Sequence, residues 1–241
     1  MLDNPEHKNA LAGTMREELG SHLELIAKDK AIHAIVLRGE GAAFCSGTDL
    51  ARLAELQARP DGAEELGRML DVASSIVEHL VCDVPQPTLA ALRGPIVGAG
   101  LGIALACDYR LAADDALIAT GFAAMGLHPD WGSSFFLPRR LGAARALDLV
   151  LGNRRLGAPQ ALAAGLVDEV VPVADHDAAW RARARKWSEA ALPAQRAIVA
   201  SLRGVDRAAL RAALGRERAI QIECFRSDAS RDRVRAFLDR T

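Results

Sequence analysis

The sequence predicts an α/β protein with an all-α C-terminal extension. Short apolar runs alternate with stretches of helical periodicity up to about residue 174, and from Asp175 to Thr241 only helical periodicity remains. Length agrees, because 241 residues with 50% hydrophobic content can bury one large core. The expected organisation is a main domain over 1–174 and a helical region over 175–241.

Leu11, Met15, Leu19, Leu23 and Ile26 recur at helical spacing, and Ala31 to Leu37 reads as a strand closed by the turn Arg38-Gly39-Glu40-Gly41. A polar connection through Pro60-Asp61-Gly62 leads to a second periodic helix, Ala63 to Leu80. Thr88 to Leu92 follows as a buried strand, Gly98 to Ala106 as a helix opened by small residues, and Tyr109 to Ala113 and Ala116 to Ala119 as strands across an Asp-Asp turn. Ser133 to Leu151 has a helical pattern broken near Arg140-Leu141-Gly142, Pro159 to Ala164 makes a short helix, and Leu166 to Val173 is the last strand expected. No fixed-period sequence repeat or low-complexity tract interrupts this order.

Composition narrows the function classes. A net charge of −1 gives no overall attraction to nucleic acid or to an acidic membrane. The charge is uneven: residues 175–241 hold 14 Arg and one Lys against nine acids, a local +6, so the preceding 174 residues carry about −7. Solvated helix faces and a phosphate-binding role both fit, the first better because the arginines alternate with alanine and acids. Cys45, Cys82, Cys107 and Cys224 form no C-x-x-C pair, so neither a zinc site nor a disulfide framework is expected, and a reducing, cytoplasmic setting is. The acidic, polar N-terminus lacks the basic start and apolar stretch of a signal peptide. The uncharged run Gly94 to Cys107 is shorter than the roughly 18 residues of a membrane span.

Two glycine turns stand out. Gly98-Ala99-Gly100-Leu101-Gly102 lies between a strand and a helix, where amides can approach a phosphate or where a helix can pack closely on a strand. A dinucleotide fingerprint fails, because Ile103 or Leu105 occupies the place of the last small residue. Phe44-Cys45-Ser46-Gly47-Thr48-Asp49-Leu50 also follows a strand and precedes a helix start, so the two turns can face one site. Asp49 reads as the N-cap of that helix or, less readily, as a chemical group.

With Asn4 to Leu11, Ala43 to Leu50, Arg93 to Asp108, Gly126 to Asp130 and Ala161 to Asp168 in this order and spacing, the chain resembles the crotonase family, also called the enoyl-CoA hydratase/isomerase superfamily. The resemblance spans nearly the whole chain. It implies a spiral of strand-strand-helix repeats whose C-terminal helices pack between subunits of a homotrimer or a dimer of trimers. It implies an acyl-CoA substrate, with coenzyme A present only as part of that substrate, and no metal or other cofactor. The amides of Thr48 and Ala99 become the oxyanion hole, flanked by Ser46, Gly47, Asp49, Leu50, Gly98, Leu101 and Gly102 as substrate-binding positions, and Lys8 lies where the family contacts the coenzyme A nucleotide. Family members usually carry a strand or hairpin ahead of the Asn-Pro-Glu motif; here Met1 to Asp3 precede it, so either the true start lies upstream or the protein does without that strand, which would expose backbone donors at a sheet edge unless a neighbour covers them.

Departures from the hydratase pattern direct the functional reading. The two hydratase glutamates align with Gly102 and Phe122, so a plain hydratase loses its acid/base pair. Asp130 matches the aspartate that serves as base or nucleophile in other members, and in a pocket with Phe122, Trp131 and Leu101 its pKa should rise. Without the resemblance Asp130 reads as a turn or N-cap residue. His128 could assist or simply pack, and Trp131 could shape an acyl pocket or belong to the core. The first expectation is an acyl-CoA isomerase that shifts a double bond. Alternatives are hydrolysis or dehalogenation through Asp130, or a non-catalytic acyl-CoA-binding scaffold. The segment from Leu50 to Leu70 is expected to shape the acyl pocket.

Overall fold

A computed structural model describes residues 1–240. The elements follow in the order α1 Met15–Lys28, β1 Ile35–Arg38, α2 Leu50–Gln57, α3 Gly62–Glu78, β2 Thr88–Leu92, β3 Pro95–Val97, α4 Ala99–Ala106, β4 Tyr109–Ala113 and β5 Leu117–Ala119. Beyond them come α5 Ser133–Leu141, α6 Ala143–Leu151, β6 Arg155–Gly157, α7 Ala158–Ala164, β7 Glu169–Val171, α8 His176–Ser188, α9 Leu192–Arg203, α10 Arg207–Arg226 and α11 Asp228–Leu238.

The strands form two sheets. One is parallel throughout in the order β1-β2-β4-β7; in the other, β3 pairs parallel with β5 and β5 antiparallel with β6. β2 is buried along its whole length, which is why it reads as an unbroken apolar run rather than an alternating one. The chain passes from one sheet to the other at two corners, β2 to β3 at Gly94 and β4 to β5 across Asp114-Asp115. Gly94 has φ 53°, and a Cβ there would lie 2.0 Å from the Ala42 carbonyl oxygen, so the first corner admits only glycine. Asp115 ties the corners together by accepting from the Gly94 N–H at 3.1 Å and pairing with Arg93. Strand, corner, strand and helix thus repeat as one unit, the spiral that the sequence motifs imply.

Several motif residues brace this spiral. Arg110, 1% exposed, reaches the Cys107 carbonyl at 2.7 Å and pairs with Asp168, whose carboxylate also accepts from the Arg110 N–H, joining β4 to the start of β7. Asn9, fully buried, donates to the carbonyls of Glu40 and Ala43 at 2.9 and 2.7 Å.

Residues after Asp175 are helical, as expected, and their arginines explain the charge asymmetry. Arg203 forks onto Asp108 and also meets the carbonyls of Val84 and Gln86; Arg207 pairs with Glu78 and Asp83, Arg211 with Glu78, and Arg218 with Asp71. These pairs tie α9 and α10 to acids of the preceding residues, while Arg181, Arg185, Arg216, Arg226, Arg233 and Arg235 lie on exposed helix faces, as expected. Among the described residues no helix is long and apolar enough to cross a membrane.

Some boundaries differ from those expected. The first helix starts at Met15, because Leu11 forms a bridge with Thr48 instead. The strand expected from Ala31 begins at Ile35, after a turn closed by Asp29. The connection before Pro60 contains the helix α2, and β6 gave no signal, being three residues long and partly exposed. The outer edge of β1 carries one bridge, Leu2 to Gly39.

Candidate active site

The segment before Gly47 runs beside β3: the Cys45 N–H donates to the Pro95 carbonyl at 3.1 Å and the Val97 N–H to the Cys45 carbonyl at 2.9 Å. Each segment then turns at a glycine of positive φ, Gly47 at 94° and Gly98 at 53°. A Cβ on Gly47 would lie 2.8 Å from the Val97 oxygen and one on Gly100 would lie 2.5 Å from the Cys45 oxygen, so the glycines are there to let the two backbones touch. On the other flank the Leu11 N–H donates to the Gly47 carbonyl at 2.8 Å and the Ser46 N–H to the Lys8 carbonyl at 2.9 Å. Thr48 is held between these neighbours, and Ala99 opens α4.

Both residues line one cavity of about 410 Å³. Among the described residues neither the Thr48 nor the Ala99 N–H donates a hydrogen bond. The first N–H groups of a helix have no partner within it and carry the positive end of its dipole, so α4 adds to the positive potential at Ala99.

Asp130 lies on the loop leading into α5, where Trp131 and Gly132 take left-handed φ values of 53° and 76°. It lines the same cavity and is 6% exposed. Its Oδ2 accepts from Gln221 Nε2 at 3.0 Å, while Oδ1 is buried without a partner. Gln221 Oε1 in turn accepts from the His128 N–H at 2.9 Å. One turn earlier on α10, Glu217 accepts from the N–H groups of Gly132 and Ser134, each at 2.8 Å, and so caps α5. Burial pushes the Asp130 carboxyl up to about 7, with the nearby Glu217 carboxylate adding to the rise, and the Gln221 hydrogen bond and Arg16 opposing it. Arg16 is 5% exposed, lines the cavity and donates to the Leu11 carbonyl at 2.7 Å.

Most residues singled out in the sequence meet here: Lys8, Ser46, Gly47, Thr48, Leu50, Gly98, Ala99, Phe122, Asp130 and Trp131 all line the cavity. Three do not. Asp49 caps α2 by accepting from the N–H groups of Ala51 and Arg52. Leu101 is 1% exposed and packs in the main core. Gly102 is filled over by Trp131, whose Cβ and carbonyl oxygen would lie 2.5 and 2.7 Å from a Cβ at that position. His128 contributes its backbone N–H and does not line the cavity.

Gln221, Arg16, Arg155 and Phe237 also line the cavity and were missed. For Gln221 a signal existed: Leu210, Leu214, Glu217, Gln221 and Phe225 make one buried stripe on α10, and two polar residues on such a stripe need partners. The helices α2 and α3 supply Leu53, Leu66, Met69 and Leu70, so the segment from Leu50 to Leu70 does form the apolar wall.

The whole chain, residues 1–241, matches the model of the enoyl-CoA hydratase/isomerase family. The chain belongs to that family. It is 38% identical over 242 residues to a probable enoyl-CoA hydratase of Rhodobacter capsulatus, covering 99% of this chain and 90% of that protein. It is 38% identical over 175 residues to 4-chlorobenzoyl coenzyme A dehalogenase-1 of an Arthrobacter species, covering 71% of this chain and 61% of that protein. The fold superposes on a solved enoyl-CoA hydratase from Bacillus halodurans with a TM-score of 0.90 at 28% identity, over 97% of this chain and 93% of that one. The resemblance read from the five motifs holds, and this crotonase is an enzyme of the acyl-CoA-processing kind.

Proposed function

We propose that this crotonase is an acyl-CoA isomerase that moves a carbon–carbon double bond, with the Thr48 and Ala99 amides as oxyanion hole and Asp130 as acid/base. The observation that carries the reading is a buried carboxyl raised to about 7, with one oxygen unpartnered among the described residues, lining the same cavity as two amides that donate to no described residue. The thioester oxygen accepts from both amides. Asp130 takes a proton from a carbon of the acyl chain; the C–H electron pair delocalises toward the thioester oxygen, where each amide is worth about 3 to 4 kcal/mol by analogy with other oxyanion holes. The proton then returns to a different carbon, so the chain ends with the same atoms and a shifted double bond. A carboxyl that titrates about 7 both accepts and releases a proton at neutral pH. Lys8, at the same cavity, is assigned to the coenzyme A nucleotide.

Hydration is disfavoured, because Gly102 and Phe122 stand at the glutamate positions and Trp131 leaves Gly102 no room for a side chain. The likeness to the Arthrobacter dehalogenase supports a second reading, in which Asp130 attacks a halogen-bearing carbon of the acyl group, halide leaves, and water hydrolyses the aspartyl ester to return the carboxylate. Labelled water separates the two: in deuterium oxide an isomerase places deuterium on carbon of 3-enoyl-CoA thioesters, whereas in oxygen-18 water a nucleophilic Asp130 takes the heavy oxygen into its own carboxylate when its ester is hydrolysed. Asp130→Asn is expected to lower turnover at least 100-fold while thioester binding persists. Tight coenzyme A binding with no exchange for any thioester would instead indicate a non-catalytic scaffold.

A further inference from the structure

Asp130 is held by a second helix in a way the acid/base reading does not require, and the arrangement distinguishes its two oxygens. We propose that Gln221 is a positioning residue for Asp130: it ties down Oδ2 and leaves Oδ1 as the oxygen that exchanges protons with the acyl chain. The proposal rests on the reading of Asp130 as acid/base and goes beyond it by naming the reacting oxygen and the group that selects it.

The orientation of the Gln221 amide follows from its neighbours. A backbone N–H can only donate, so the Gln221 atom facing the His128 N–H at 2.9 Å is the carbonyl oxygen. The amide NH2 is therefore the end that faces Asp130 Oδ2 at 3.0 Å. Gln221 is 4% exposed and Glu217, one turn away on the same face of α10, is 2% exposed. Together they hold three backbone N–H groups of the loop and the first turn of α5, those of His128, Gly132 and Ser134, on both sides of Asp130. Oδ1 is buried with no hydrogen-bond partner among the described residues, and Asp130 lines the cavity, so Oδ1 is the oxygen left uncommitted for a group that enters beside it. A carboxylate anchored at one oxygen presents the other in a fixed direction, which proton transfer from carbon requires.

The charged groups facing Asp130 are Glu217 from α10 and Arg16 from α1. Gln221 donation favours the carboxylate and Glu217 disfavours it, so removing each should move the titration of Asp130 in opposite directions. Only the deprotonated form takes a proton from carbon. The acidic limb of the rate profile should then move to higher pH without the Gln221 donor and to lower pH without the Glu217 charge.

The test uses the full chain with Gln221→Met, Gln221→Glu, Glu217→Gln and Asp130→Asn, read by carbon-13 titration of the Asp130 carboxyl and by deuterium incorporation into 3-enoyl-CoA thioesters. Gln221→Glu keeps an acceptor for the His128 N–H, so it serves if Gln221→Met does not fold. Expected are an upward shift of the Asp130 midpoint by about one unit or more in both Gln221 variants, a downward shift in Glu217→Gln, and kcat lowered at least tenfold with KM within threefold in the Gln221 variants. An Asp130 midpoint and kcat unchanged in both Gln221 variants would overturn the assignment of Gln221. Exchange that persists in Asp130→Asn would sink the acid/base reading instead, and the carboxyl titration, which needs no turnover, reads the contact with Gln221 in either case.

Discussion

At the level of single residues, the cavity places function and stability in opposition. The folded Asp130 carboxyl titrates near 7, far above the usual carboxylate range, because burial and Glu217 penalise its charge. A carboxyl whose folded pKa is raised binds more protons folded than unfolded, so its penalty is full above the folded value and fades as pH falls toward the unfolded one. Asp130→Asn should therefore unfold at higher urea than the parent at pH 8, by a few kcal/mol at most, with the advantage shrinking toward pH 5. An equal advantage at both pH values would contradict the assigned titration. Gly102 makes a second case. A side chain there meets backbone and Cβ atoms of Trp131 rather than a flexible tip, so Gly102→Ala should cost about 1 to 3 kcal/mol in urea unfolding. Gly102→Glu should likewise gain no hydratase activity, and measurable water addition by that variant would show that the loop holding Trp131 yields.

Among the elements, α10 does more than its helical pattern announces. Its buried stripe carries Glu217 as the cap of α5 and Gln221 as the partner of Asp130. Removing the cap leaves one buried and one half-buried N–H group unpaired, so Glu217→Ala should lose roughly 2 to 4 kcal/mol in urea unfolding. A loss below 0.5 kcal/mol would mean that water replaces the carboxylate. The same helix marks where sequence reading stops. β2 and β4 were legible to the residue because strands with both faces buried spell out apolar runs, and the break at Gly142 was legible because a glycine at φ 76° ends a helix. β6 was not, since a three-residue strand beginning with an exposed arginine has no pattern to show. For Gln221 the spacing shows a polar residue on the apolar stripe of α10, but not its partner, because it meets Asp130 across 91 residues and local spacing carries no such information.

For the molecule as a whole, the acidic core and basic tail form one electrostatic assembly. The arginines on α9 and α10 that balance the core acids are interleaved with alanine, and only the fold reveals which acids they meet. The glycine turns were legible as a pair because each follows a strand; that Thr48 and Ala99 share a cavity follows from the pairing of Cys45 with Ile96. Asp130 was singled out through the family resemblance, its local sequence reading first as a turn or N-cap. Apolar side chains stay exposed on α6 and α9, among them Leu151 at 71% and Leu202 at 81%. In line with the assembly that the family resemblance implies, we propose that these faces are covered in a homotrimer or a dimer of trimers. Light scattering should then give three or six times the 25.7 kDa chain mass, and a monomer at micromolar concentration would remove that proposal.

Everything chemical here depends on two amides and one carboxyl addressing the same bound group. A crystal structure of Asp130→Asn with a 3-enoyl-CoA thioester reads this directly. The expected result is the thioester oxygen about 2.7 to 3.1 Å from both the Thr48 and Ala99 nitrogens, with the acyl carbons that lose and gain the proton facing residue 130. A thioester oxygen bound by neither amide, or an acyl chain directed away from residue 130, would contradict the account.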